Sequence, residues 1–377
     1  MGATPEMVMS ERGLDQLIAE LRSRGYRTLG PVVRDGAVVH DEVSSTDDLP
    51  RGWHDHQAPG HYRLDHGEDA ELFGWAVGPT SWKATFFPPE EVAWSASVEG
   101  GDVVLTVPDA APGPVALIGV RPCELSALGT LDRVLVGGAV VDDRYAARRA
   151  DAFVVAVECG APSGTCFCTS MGTGPSVGPG YDLALTELDE GGHRFLVQVG
   201  SPAGADLLSA VGVASATEAD RAEREGILAA AASRMGRSLD TEGLAGLLEA
   251  NLDHPRWDEV AERCLSCGNC TLVCPTCFCS DVRDVTDLTG AAERRRSWAS
   301  CFDIEHSYLH GGSVHATTAT RYRQWLTHKL STWWDQFGES GCVGCGRCIA
   351  WCPVGIDLTE EAGAIRATSG AVAGEVR

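Results

Sequence analysis

Two segments of this chain repeat one spacing: Cys264-x2-Cys267-x2-Cys270-x3-Cys274-Pro275 and Cys342-x2-Cys345-x2-Cys348-x3-Cys352-Pro353. Three thiols two residues apart can wrap three corners of an iron–sulfur cubane. The x3 step and the proline then turn the chain toward a second one, so the fourth cysteine of each run ligates the other cluster. The spacing predicts one [4Fe-4S] cluster on Cys264, Cys267, Cys270 and Cys352, and another on Cys342, Cys345, Cys348 and Cys274. Structural zinc is the competing assignment; it uses paired C-x2-C but needs neither the third cysteine nor the trailing C-P.

The chain of 377 residues holds fifteen cysteines. Its first eighteen residues carry Glu6, Glu11, Arg12 and Asp15 and no apolar run before a small-residue cleavage site, so no signal peptide is expected. Nor is there an uninterrupted apolar stretch of membrane-spanning length. A cytoplasmic location follows, where thiols stay reduced and abundant cysteine means metal. The net charge of −23 repels phosphates and anionic lipid, which argues against nucleic acid and membrane as partners.

Length favours two domains. Residues 1–245 are expected to form an α/β domain and 246–377 a ferredoxin-like dicluster domain with a helical insertion at 280–340, giving an α+β fold. The first hundred residues read as short strands and turns. From Pro114 the pattern sharpens: Val115–Val120 is a buried strand, Leu125, Leu128, Leu131 and Val134 recur at helical spacing, and Phe153–Val157 is a second buried strand. Strand, helix, strand predicts a βαβ unit. Further strands are expected at Leu183–Leu188 and Arg194–Val199. Thr217 and Asp220 look like a capping box opening a helix through Ile227 to Met235, and Leu244, Leu247, Leu248 and Leu252 suggest another.

If the two buried strands are parallel neighbours, Cys123 and Cys159 emerge at one carboxyl edge, where open α/β sheets place their sites. Cys166-Phe167-Cys168 follows, and an extended C-x-C points both sulfurs one way. These four thiols predict a third [4Fe-4S] cluster; zinc, or inert buried cysteines, are the alternatives. Cys277, Cys279 and Cys301 remain. Thr276-Cys277-Phe278-Cys279 echoes Thr165-Cys166-Phe167-Cys168, so a further metal site is considered there, completed by Asp303 or His306; packing beside the clusters is the plainer role. His306, His310, His315 and His328 are expected at the surface or hydrogen-bonded, and Trp325, Trp333 and Trp334 with Tyr322 and Phe337 as a packed helix. Arg294-Arg295-Arg296 is expected on a solvated face, and Met171–Pro175 as a loop beside the third cluster. Gly268, Gly344 and Gly346 are candidates for amide hydrogen bonds to cluster sulfur.

Neither G-x-G-x-x-G after a strand nor G-x-x-x-x-G-K-[ST] occurs, so no flavin or nucleotide site is expected in this chain, and no catalytic group is identified. The segments Gly119–Val134, Cys159–Pro175, Cys264–Val282, Ser297–Gly312, Arg321–Leu330 and Cys342–Glu361 resemble, in this order, the β-type iron–sulfur subunit of cytosolic sulfhydrogenases, which are NAD(P)-linked [NiFe] hydrogenases. They also resemble the related A subunit of anaerobic sulfite reductase. After Gly311-Gly312-Ser313, near His315, the chain departs from the family pattern, which carries arginine or asparagine there. The resemblance implies an electron-transfer subunit of an oxidoreductase complex, with a flavin- and NAD(P)-binding subunit and hydrogenase small and large subunits as partners. Sulfite reduction is the alternative complex, and a zinc-stabilised scaffold the alternative of another class.

Overall fold

The computed structural model describes residues 6–110 and 113–372. Residues 1–5 of the N-terminal stretch and 373–377 at the end of the expected second domain lie outside them. The fold is α+β. Its largest element is an eight-stranded mixed sheet with four adjacent parallel strands at its centre: Arg27–Arg34, Val115–Val120, Ala152–Val157 and Leu183–Leu188. Antiparallel strands flank them: Arg194–Val199, Met7–Ser10 and Val213–Ser215 on one side, Ala37–Glu42 on the other.

The central strands are apolar throughout because both faces are covered. Ile118, Val155 and Val157 face a core with Leu14, Leu17 and Phe195, whereas Leu117, Val154 and Ala156 face Leu128, Leu131 and Tyr145. The expected strands and the βαβ unit stand where the sequence puts them, with helix Pro122–Leu135 as the crossover. Thr217 and Asp220 do form a reciprocal capping box, opening a helix that stops at Ser233. Helix Leu244–Ala250 ends before Leu252, which is exposed.

Two expectations need correction. The first hundred residues are not only strands and turns: Glu11–Ser23 is a helix, capped by Ser10 and burying Leu14, Leu17, Ile18 and Leu21 at helical spacing. The insertion is helical only from Thr318. It opens with a hairpin, Ser280–Thr286 and Ala292–Trp298, whose second strand pairs with Glu90–Glu99, itself paired with Asp102–Thr106. A strand of the second expected domain thus extends a sheet from the first. Charge fixes the pairing: Arg294 makes a bidentate pair with Asp284 directly opposite, at 2.7 and 2.8 Å, Arg295 reaches Glu90 at 3.0 Å, and Arg296 pairs with Glu91 and Asp142. The arginine run is half-buried and paired.

The second core lies around the two cysteine runs and includes Leu248, Trp257, Tyr322, Leu326 and Ile365. Phe167, fully buried, inserts into it from the other half of the chain. No helix among the described residues is long and apolar enough to cross a membrane.

Candidate metal centres

Helix Arg256–Arg263 delivers the chain to Cys264, after which Asn269–Leu272 makes one short helical turn bearing Cys270. Cys264, Cys267, Cys270 and Cys352 line one cavity, with Cys348 at its wall. Cys274, Cys342, Cys345 and Cys348 line the next. The structure therefore brings each expected quartet together, and in each the fourth thiol comes from the other run. The Asn269 side-chain amide donates to the Trp351 carbonyl, tying the runs to each other.

The third expected quartet also converges. Cys123 lies at the start of helix Pro122–Leu135, just past strand Val115–Val120, and Cys159 follows strand Ala152–Val157. These two strands are parallel neighbours. Cys123, Cys159, Cys166 and Cys168 line one cavity, and Cys345 joins them there. The Met171–Pro175 loop packs at this site: the Cys159 amide donates to the Pro175 carbonyl at 3.1 Å, and Thr173 Oγ1 to the Val343 carbonyl at 2.6 Å.

Cys345 reaches the third cavity because Gly344 and Gly346 permit a close approach. Both have left-handed φ, +66° and +75°. A Cβ at Gly344 would sit 2.7 Å from the Phe167 backbone, and one at Gly346 would strike the Thr165 carbonyl. The contact is locked by Arg347, which donates to the Gly78 and Thr80 carbonyls at 2.8 and 2.9 Å and to Glu124 Oε1 at 2.6 Å. Both partners of that ion pair are 1% exposed, so each compensates the other's buried charge. Sequence reasoning passed over this pair; its signal was a charged residue beside a cysteine in both Cys123-Glu124 and Gly346-Arg347-Cys348.

The donor set suits iron–sulfur cubanes. A tetrahedral zinc with 2.3 Å bonds to sulfur holds its thiolates about 3.8 Å apart. Among the described residues no three cysteine sulfurs lie mutually within 4.8 Å; only His54, Asp69 and Glu71, of which His54 and Asp69 form an ion pair, meet that spacing. A cubane takes one thiolate at each corner and holds them farther apart. The cavities also present buried donors without a hydrogen-bond partner, among them Tyr322 Oη and Trp325 Nε1 at the first and Arg121 Nε at the third. Bridging sulfides are acceptors for such groups. The Ser266 and Gly344 amides each lie 3.4 Å from a thiol sulfur, those of Cys264 and Cys342.

Burial pushes the Cys168 and Cys342 thiols up to about 12, and it raises Cys123, Cys159, Cys166 and Cys348 as well. Without a cation these thiols stay protonated; an iron–sulfur cluster held by them would displace the protons. Cys274 differs: a hydrogen bond from Cys277, reinforced by the Lys329 ammonium, holds it well below the usual thiol range. Lys83 Nζ donates to the Cys274 and Cys277 carbonyls at 3.0 and 3.1 Å. Neither buried lysine was anticipated from sequence.

Cys277, Cys279 and Cys301 are likewise together, in a fourth cavity that His306, His315 and His328 also line. Asp303 is not among its lining residues. Of the expected surface histidines, His306 and His310 are exposed, His315 and His328 half-buried. Trp325, Trp333 and Tyr322 are buried as a packed helix requires, while Trp334 is exposed.

Two cysteine runs with crossed quartets define an iron–sulfur electron-transfer protein of the dicluster type, and the 4Fe-4S dicluster domain family matches residues 263–356. Sulfhydrogenase 2 subunit beta of Pyrococcus furiosus is 34% identical over 262 residues, which cover 67% of this chain and 75% of that protein. The chain belongs to this family: it is a β-type iron–sulfur hydrogenase subunit. No solved structure matches it.

Proposed function

We propose that this chain relays single electrons, in the cytoplasm, between a flavin-bearing, NAD(P)-binding subunit and the small and large subunits of a [NiFe] hydrogenase. Three [4Fe-4S] clusters would serve it: one on Cys264, Cys267, Cys270 and Cys352, one on Cys342, Cys345, Cys348 and Cys274, and one on Cys123, Cys159, Cys166 and Cys168. When bound, each cluster takes up and gives back one electron at a potential set by its surroundings. The protein's part is to hold the thiolates, exclude water and aim N–H and O–H donors at sulfur. Residues 1–245 and 246–377 then divide by what carries the ligands, sheet ends in one and cysteine runs in the other.

The observation that carries this reading is the sharing of walls. Cys348 lines both the first and second cavities, and Cys345 both the second and third. Three sites so joined form one continuous route through the chain. The test is purification of the native complex under anaerobic conditions, with subunit identification and a dithionite-reduced paramagnetic spectrum. Interacting [4Fe-4S] signals and a nickel-binding large subunit are expected. A siroheme partner would overturn the hydrogenase assignment, and a colourless, zinc-loaded chain would overturn the relay.

A further inference from the structure

A cavity of about 240 Å3 lies at the base of the Ser280–Trp298 hairpin. One wall carries the thiols of Cys277, Cys279 and Cys301. The Ala299 amide donates to the Cys279 carbonyl at 2.9 Å, which continues the hairpin ladder and sets Cys279 and Cys301 on neighbouring strands' ends. The facing wall is the helical segment from Thr318 to Phe337, at the point where it passes through a π-helical turn, His328–Thr332. Such turns displace side chains from the α-helical register and recur at functional sites. Here His328 lines this cavity, and the next residue, Lys329, lines both this cavity and that of the second cluster.

A second observation is independent of the thiols. Trp325 and Trp333 line the same cavity, are 4% and 1% exposed, and their indole N–H groups have no hydrogen-bond partner. Trp325 also borders the first cavity, so Trp333 is the donor left to this one alone, and an unpaired buried donor is costly unless an acceptor occupies the cavity. We propose that the cavity holds a fourth iron–sulfur centre, bound by the thiolates of Cys277, Cys279 and Cys301 with His328 as the nitrogen ligand. Bridging sulfides supply the acceptor that the Trp333 indole requires, whereas a lone zinc ion has none to offer. Single-ion geometry is absent as well, since no three donors of this cavity lie mutually within 4.8 Å among the described residues.

The centre would join the relay at two points. Trp325 borders the first-cluster cavity, and Cys277 follows Cys274 of the second quartet after two residues, so ligation would replace the hydrogen bond between their side chains. The inference rests on the three-centre reading above, so its test keeps the two separable. Iron and acid-labile sulfide are counted in the anaerobically purified full chain, in Cys166→Ser, and in the double variant Cys279→Ser/Cys301→Ser. With four centres the parent carries about sixteen iron atoms, and each variant loses about four with matching sulfide. A double variant that keeps the parent's iron and sulfide overturns the fourth centre, as does one that loses one zinc and no iron; loss in the double variant but not in Cys166→Ser overturns the third cluster alone. Should the double variant fail to fold, His328→Gln decides: a change in the reduced paramagnetic spectrum supports the assignment, and an unchanged spectrum sinks it.

Discussion

The chain writes Thr-Cys-Phe-Cys twice and folds it into two different environments. At Thr165–Cys168 every residue is buried: Phe167 fills the core of the dicluster half, Thr165 Oγ1 donates to Gln57 Oε1 at 3.1 Å, and the thiols face those of Cys123, Cys159 and Cys345. At Thr276–Cys279 only the threonine is buried; it donates to the Gly341 carbonyl at 2.7 Å and accepts from Lys329 at 3.0 Å. Phe278 leans half-exposed on the Trp333 ring, 5.6 Å between centroids. The same four residues therefore give a thiol-only site in one place and a thiol–imidazole site in the other. What differs is the element they meet: a sheet edge with two further cysteines, or a hairpin base facing a helix.

The largest effect on this contrast should come from Arg347→Met. It strands Glu124 in the interior and frees the second run from the first Thr-Cys-Phe-Cys segment. A loss of about 3–5 kcal/mol is expected by denaturant titration, together with loss of the third cluster's iron. A loss under 1 kcal/mol would show that the two segments are held by other contacts.

Next comes the phenylalanine pair. Phe167→Ala should cost about 3–5 kcal/mol, as a fully buried aromatic does, and Phe278→Ala less than half of that. Equal losses would erase the difference in burial on which the contrast stands. Gly346→Ala places a Cβ against the Thr165 carbonyl at a left-handed φ, for about 1–3 kcal/mol and a weakened third site. Retention of both stability and iron would mean that the close approach is not required.

The smallest effect is a control on the sheet side. His193 lies between Glu187 at 2.6 Å and Glu11 at 3.2 Å, and hydrogen bonding to Glu187 raises it above its ordinary 6.5. A raised histidine stabilises fully below its unfolded value, and that contribution fades as pH climbs through the folded one. The stability gap between the parent and His193→Gln, about 1 kcal/mol at pH 6, should shrink toward pH 9 with iron content unchanged. A gap that grows with pH would reverse the assignment.

Much of this was legible in the chain because it depends on neighbours in sequence. The two runs announce their quartets by spacing alone, and Val115–Val120 and Ala152–Val157 announce a doubly covered sheet by unbroken apolarity. Helix Glu11–Ser23 was missed although its signal stood in the sequence: Ser10 and the positions of Leu14, Leu17, Ile18 and Leu21 carry its cap and period. The strand partners of the insertion were not legible, since Glu90–Glu99 and Ala292–Trp298 lie far apart in sequence and their charges match only once register is known. Nor was the Glu124–Arg347 pair, whose residues look like ordinary surface charges until burial joins them.

Sequence by itself determined which thiols fall into which local groups, because covalent geometry fixes how far apart thiols two or three residues distant can reach. Tertiary structure alone decided that Cys345 and Cys348 stand between cavities, that His328 and Lys329 turn toward two of them, and that the second Thr-Cys-Phe-Cys meets imidazoles rather than more thiols. Those relations span tens to hundreds of residues, and packing of apolar surface, not bond geometry, sets them.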